Sequence, residues 1–459
     1  MDQLDKLIKI VGKEYVSNAA PEKFIYSRDP GLQEPHEPDY VVLPNTPEEV
    51  QKIILLANAE NIPVVPVGSS LSLSGLVIPL KGGIALDMRR MNRIIEVNEQ
   101  SHYAVVEAGT AQGMLMKYLE KNHPTLKHSM PDAPPGSTIA GNIVIHGSGH
   151  LSQSEGGFHS EMVTGMEVVL PTGEIAKLGS CSTVPYWFSR GPLPDLVGLF
   201  LGWNGTTGVI TKIGIKLYPK PLLHDCLMYM APDITIIPEL IYKIIGTQVA
   251  EDVSSFATPK PEMYKGIMMV IINIVANSEK ELDLKRDIIR ESLRDYYETK
   301  ESGFAPIPPP MKGSLLEVPQ KNLSTFSDVN RGGGFEYVGA IIPIEKFNDA
   351  YQAGLEISKR NGVTYSLGGR VIGKGNCFMF YYAYPFNRAD KADMKKVENA
   401  LEDTNKAVLK MGGIPWKTEI GGQSLVIKQM DPNTYDLMQR IRKTLDPKGI
   451  MNPGNWEAN

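Results

Sequence analysis

The stretch from Ile62 to Leu86 limits what this chain can fold into more than any other. A β-branched strand, Val64, Val65 and Val67, runs directly into Gly68-Ser69-Ser70-Leu71-Ser72, and a second strand follows from Ile84 to Met88. Gly68 has no Cβ and the serines bring hydroxyl donors. Several consecutive backbone N–H groups can therefore converge on one concavity, which suits an anion such as a pyrophosphate. The same residues also suit a plain polar turn between two strands. The rest of the chain decides between the two.

Upstream, Tyr40-Val41-Val42-Leu43-Pro44 is a short strand. Thr46-Pro47-Glu48-Glu49 is a capping start with proline at the first helical position. Val50, Ile53, Ile54 and Ala57 then recur at helical spacing. Downstream, strands are expected at Ile94–Val97 and Ala104–Glu107, and a helix over Gln112–Lys121. A second loop rich in small residues and proline runs from Met130 to Asn142. Met166–Leu170 and Glu174–Ala176 flank the turn Pro171-Thr172-Gly173 as a hairpin. A short helix is expected over Pro194–Phe200, and a long strand over Val209–Leu217. Beyond Pro219 and Pro221 the character changes, with two strand-like stretches at Gly266–Val275 and Glu336–Ile342. Helices are expected at Glu279–Tyr297, Ile344–Asn361 and Lys391–Lys410, and a proline-rich loop at Pro306–Pro310. Asn376–Tyr384 reads as an aromatic strand with Phe378, Phe380, Tyr382 and Tyr384 on one face. The chain closes on a helix over Tyr435–Leu445 and two proline-glycine turns.

A chain of 459 residues can bury two or three domains. Its net charge of −5, with no long basic run, gives no reason to expect a nucleic-acid partner. Three dispersed cysteines, Cys181, Cys226 and Cys377, fit a reducing compartment better than a disulfide framework or a zinc cluster. Met1-Asp2-Gln3 opens without a signal pattern, and the apolar run Gly266–Ala276 is too short to span a bilayer. A soluble, cytoplasmic protein is expected. All eight histidines lie at or before His224. A histidine ligand or base from the second half is excluded by composition alone.

There is no G-x-G-x-x-G after a strand, no G-x-x-x-x-G-K-S/T and no G-x-S-x-G. What remains are two small-residue loops, a hairpin and a late Asn-Pro-Gly. In this order they resemble the FAD-binding domain of the vanillyl-alcohol oxidase/p-cresol methylhydroxylase superfamily, which includes D-lactate and glycolate dehydrogenases. The segments that carry the resemblance are Pro63–Gly75, Ala140–Asn142, Gly165–Glu174, Leu199–Thr211 and Leu445–Gly454. The resemblance implies an α+β, two-domain fold. Residues 1–37 would be a helical lead-in, 38–220 the FAD domain, 221–420 a cap over the flavin, and 421–459 a return to the FAD domain.

The resemblance also implies the site. FAD would be held by Val67, Gly68, Ser69, Ser70, Leu71, Ser72 and Gly75, by Pro131, Ser137, Thr138, Gly141 and Asn142, by Gly205, Val209 and Ile210, and by Asn452. Leu71 stands where histidine-flavinylated relatives carry the covalent residue, so FAD is expected to be non-covalent. The second-half histidine motifs of the metal-assisted hydroxy-acid dehydrogenases are absent, so no metal is expected. Arg331-Gly332-Gly333-Gly334-Phe335 resembles a cap strand of the phenol-oxidising branch. Trp416 and Lys417 fall where that branch has tyrosine and arginine. Lys417 is expected to anchor a substrate anion with help from Arg370, and Tyr382 or Tyr384 to reach the reacting oxygen. His146 and His150, after the second loop, could touch the ring or be structural. Three functions stay open: an oxidoreductase for aromatic or benzylic alcohols and para-substituted phenols; a metal-independent 2-hydroxy-acid dehydrogenase passing electrons to a protein partner; and a flavin-binding subunit without catalysis. A small-molecule substrate and a homo-oligomer are expected in each enzymatic case.

Overall fold

The computed structural model describes residues 2–257, 268–296, 303–317, 333–364 and 366–458. Arg331, Gly332, Gly266 and Tyr297, named above, lie outside them. Two hydrophobic cores organise the chain.

The first core belongs to two sheets. One has four strands in the order Val16–Ser17, Tyr40–Val42, Ile84–Asp87, Val64–Val67, the last three parallel. The other is a five-stranded antiparallel sheet: Ile94–Asn98, Tyr103–Glu107, Val209–Lys216, Val163–Val169, Ile175–Gly179. The helix Pro47–Glu60 starts where Thr46 Oγ1 accepts the Glu49 N–H and stops at Asn61, whose φ of 56° is left-handed. Its Val50, Ile53, Ile54 and Ala57 are wholly buried, each worth about 1–3 kcal/mol of apolar burial. Leu7 and Val11 of the first helix, Gln3–Val11, enter the same core, as do Ile450 and Met451.

The second core lies under an eight-stranded antiparallel sheet. Its order is Gly303–Ala305, Leu223–Ala231, Met268–Ala276, Ala250–Ala257, Ser366–Ile372, Cys377–Asn387, Gly333–Ile342, Ile414–Trp416. The helices Ile237–Gly246, Glu279–Ser292, Phe347–Asn361 and Lys391–Lys410 cover one face. That face takes Phe378, Phe380, Tyr382 and Tyr384 on one strand and Val338, Ala340 and Ile342 on its neighbour. The opposite face, with Tyr337, Met379 and Tyr381, turns toward the first half of the chain.

Several strands of this sheet were not legible. Leu223–Ala231 is poor in β-branched residues, and Ser366–Ile372 contains Gly368 and Gly369. A Cβ on Gly369 would stand 2.1 Å from the Phe378 ring, so aromatic cover from the next strand replaces the missing side chains. The helix expected over Pro194–Phe200 is only a 3₁₀ turn at Val197–Phe200. The proline-rich loop runs into a helix, Pro309–Leu316, with prolines in its first turn. Among the described residues no helix is long and apolar enough to cross a membrane.

Residues 450–452 return to the first sheet. Val64 N–H donates to Ile450 O and Asn452 N–H to Val64 O. Asn452 Nδ2 also donates to Leu76 O at 2.9 Å and to Asn204 O at 2.6 Å. Replacing Asn452 with Ala strands two carbonyls behind the cavity wall. It is expected to cost about 2–4 kcal/mol, read as a lowered denaturation midpoint.

Candidate active site

A cavity opens between the loops of the first half and the last strand of the large sheet. Val67, Gly68, Ser69, Ser70, Leu71 and Ser72 form one wall, and Ser137, Thr138, Gly141 and Asn142 a second. Gly205, Val209 and Ile210 form a third wall, and Trp416 with Lys417 close it from the cap sheet. The loops must be lean to make this space. A Cβ on Gly68 would sit 2.4 Å from Thr138 Oγ1, the atom that caps the helix Ile139–Val144.

Three expected cofactor residues stand behind the wall. Gly75 donates its N–H to Asp29 Oδ2 at 2.7 Å. Pro131 pairs with Gly149 in an isolated bridge. Asn452 braces Leu76 and Asn204, which themselves line the cavity.

The cap residues separate more sharply. Trp416 Nε1 donates to Ile145 O. Lys417, half-buried with φ 45°, donates to Ser72 O at 2.6 Å. Its Nζ lies 4.8 Å from the Tyr337 ring centroid and 5.0 Å from that of Trp416. Among the described residues no carboxylate is within ion-pair distance of it. Burial brings the ammonium down to about 8, against the pull of Glu336 and Asp29. Burial likewise pushes the Glu336 carboxyl up to about 8, with Asp29 and Glu419 adding repulsion.

Arg370 is placed differently. Its Nε donates to Asp252 Oδ1 at 2.8 Å and its Nη1 to Asp132 Oδ2 at 2.5 Å. The guanidinium is committed to two carboxylates and does not line the cavity. Tyr382 and Tyr384 do not reach the cavity either. Their hydroxyls bond to Ala350 O and to Thr404 Oγ1 on the helix-covered face. The aromatic residues beside Lys417 come instead from the other face. Tyr337 and Tyr381 stack at 5.5 Å, and Tyr337 meets Trp416 edge-on at 6.0 Å. Strand alternation lists both faces; only the position of the helices tells them apart. His150 Nε2 lies 3.3 Å from Asp132 Oδ1, and His146 Nδ1 bonds to Ser160 Oγ. Neither histidine lines the cavity. Among the described residues no group of three or more His, Cys, Asp or Glu is placed to hold a metal ion.

The chain matches two family profiles in succession. Residues 38–179 match one described as "FAD binding domain", and residues 340–456 match "FAD linked oxidases, C-terminal domain". Glycolate oxidase subunit GlcD of Bacillus subtilis is 25% identical, covering 100% of this chain and 97% of its own. This chain is an FAD-linked oxidoreductase. The oxidoreductase is also 25% identical to the mitochondrial D-lactate dehydrogenase [cytochrome] of Arabidopsis thaliana, over 91% of this chain and 73% of that one. It is 33% identical to the 4-cresol dehydrogenase [hydroxylating] flavoprotein subunit of Pseudomonas putida, over 40% of this chain and 36% of that one. Among solved structures, 4-ethylphenol oxidase from Gulosibacter chungangensis superposes with a TM-score of 0.85 at 21% identity, covering 99% of this chain and 96% of that one. Substrate-bound p-cresol methylhydroxylase gives the same score at 19% identity and the same coverage. The fold is thus shared with 4-ethylphenol oxidase and p-cresol methylhydroxylase, while two relatives that span most of the chain are named for glycolate and D-lactate.

FAD is the cofactor of this oxidoreductase, and the cavity fits it. Ser72 Oγ and Ser137 Oγ, one on each facing loop, are buried and have no partner among the described residues. Two orphaned hydroxyls across a glycine-lined cleft are donors awaiting an oxygen-rich group, as the phosphates of the cofactor would supply. Gly68→Val is expected to drive a side chain into Thr138 and raise the FAD dissociation constant about tenfold or more. Fluorescence titration of the apoprotein with FAD measures this.

Proposed function

We propose that the oxidoreductase removes hydride from an alcohol or activated benzylic carbon of a small aromatic substrate that carries one anionic group, a phenolate or an aryl carboxylate. The observation that carries this reading is Lys417. It is a cavity-lining cation with one hydrogen bond among the described residues, held between the rings of Tyr337 and Trp416. An ammonium with free donors in a half-buried aromatic setting binds an anion by charge-assisted hydrogen bonds, and the flat rings favour a planar substrate. Arg370 has its charge answered by Asp132 and Asp252, and so leaves the anchoring to Lys417. Bound FAD would accept the hydride. The protein's part is to hold the anion, orient the carbon and exclude water. The flavin is proposed to be non-covalent, since Leu71 offers no nucleophile.

A second reading has its own support. Two relatives that span most of the chain carry glycolate and D-lactate in their names, and Lys417 would hold a 2-hydroxy-acid carboxylate as readily. Two of the relatives are named as subunits, which favours a redox-protein electron acceptor in either case. A homo-oligomeric, cytoplasmic enzyme remains part of the proposal. Dye-coupled turnover of 4-hydroxybenzyl alcohols, arylhydroxy acids, glycolate and D-lactate, side by side, separates the readings. Turnover confined to glycolate or D-lactate rejects the first.

Lys417→Met is expected to lower kcat/KM by the equivalent of about 2–4 kcal/mol with FAD content unchanged. The pH profile gives an independent check. Only the ammonium binds an anion, and its pKa is brought down to about 8. kcat/KM should therefore be full well below pH 8 and fall as pH rises through it. In Lys417→Arg that alkaline limb should disappear, because guanidinium stays charged.

A further inference from the structure

Behind the second cavity wall lies a chain of hydrogen bonds that the reaction described above does not use. Leu151 N–H donates to Ser129 Oγ at 3.3 Å. Ser129 Oγ lies 2.8 Å from His159 Nε2. His159 Nδ1 contacts Asn142 Oδ1 in turn. Ser129 and His159 are nearly inaccessible to solvent, at 7% and 4% exposure, whereas Asn142 is half-buried and lines the cavity. No protein group among the described residues accepts from Asn142 Nδ2. The packing leaves little freedom. A Cβ on Gly149 would come within 2.8 Å of His159 Nε2, and one on Gly147 within 2.1 Å of Asn142 Nδ2.

The direction of this chain can be worked out from one end. A backbone N–H can only donate, so Ser129 Oγ accepts from Leu151. The serine hydroxyl must then place its own proton, and among the described residues the only acceptor it contacts is His159 Nε2. Burial holds the imidazole neutral by bringing its pKa down to about 3. A neutral ring that accepts at Nε2 carries its proton at Nδ1. That proton requires an acceptor, and only the carbonyl end of the Asn142 amide is one. The NH₂ end is left facing the cavity.

We infer that His159 is a positioning residue that locks the Asn142 amide with its two N–H donors directed into the FAD cavity, to meet an acceptor atom of the cofactor such as a carbonyl oxygen, ring nitrogen or phosphate oxygen. Without the histidine, either end of the amide could face the ligand, and one of the two repels an acceptor. The assignment does not depend on which substrate is oxidised.

The test uses holoprotein labelled with ¹⁵N-histidine. The His159 resonances, assigned by their loss in His159→Asn, should show Nδ1 protonated and Nε2 bare, unchanged from pH 8 to about pH 5. In parallel, FAD affinity is compared at pH 8 in two variants of equal size. His159→Asn keeps an N–H near the Nδ1 position and should hold FAD within about threefold of the parent. His159→Asp offers only acceptors there, turns the Asn142 amide around, and should weaken FAD about tenfold or more. An Nε2–H tautomer, or equal FAD affinity in the two variants, overturns the inference. If His159→Asp does not fold, the tautomer measurement on the parent protein decides alone.

Discussion

One guanidinium ties the large sheet to the wall of the cavity. Arg370, on the large sheet, is shared between Asp252 of a neighbouring strand and Asp132 of the second cavity loop. Arg370 and Asp252 are buried, while the Asp132 side chain is 45% exposed; burying the first two costs several kcal/mol each in lost hydration, which their mutual attraction roughly repays. Such a cluster adds little net stability. Removing Arg370, however, leaves Asp252 buried without its partner, at a cost of about 3–5 kcal/mol. The Arg370–Asp132 pair thus ties the large sheet to the second cavity loop, and Trp416 and Lys417 stand at the cavity beside it. Attraction to Arg370 also holds the Asp132 carboxyl below its usual range, with His150 contributing.

A second junction fixes Lys417 from the opposite side. The segment 29–33 threads between the first cavity loop and the end of the cap sheet. Asp29 accepts the N–H groups of Gly31 and Gly75, Glu336 accepts that of Leu32, and Arg388 donates to the carbonyls of Asp29 and Gly31. A Cβ on Gly31 would lie 2.4 Å from Leu73 O, so the segment fits only as glycine there. The lead-in is thus part of the wall that supports the lysine. Asp29 of this segment and Glu336 of the large sheet lie near enough to pull on the ammonium without pairing with it.

How much of this could be read from sequence varied with the kind of physics involved. The cavity loops were legible because backbone approach leaves a mark, glycine and serine where side chains would intrude: Gly68, Ser137, Gly141, Gly205. The pairing of cavity with cofactor was legible through resemblance over several segments in order. Side-chain direction was not. The strand Cys377–Asn387 has two aromatic faces, and its own residues do not say which one carries helices; Tyr382 and Tyr384 fall on the helix side, Tyr381 on the other. Arg370 was visible as a charge, but its partners lie 118 and 238 residues away in sequence. Nothing local marks a residue as already paired. His159 was hidden for a similar reason, since its role arises only where Ser129 and Asn142 are brought to its two nitrogens.

The return of residues 450–452 to the strand Val64–Val67 bears on how the molecule is made. Ile450 and Met451 are buried in the same core as Leu7 and Val50, yet they leave the ribosome after the whole large sheet. Domains generally fold as units during synthesis, amino-terminal first. Here the earlier unit lacks one edge of its parallel sheet and two core side chains until the later one is complete. The edge of Val64–Val67 is therefore exposed for most of translation, with apolar side chains above and below it, and capture of the cofactor is postponed to the end. In the cell this gives chaperones a defined window in which to act.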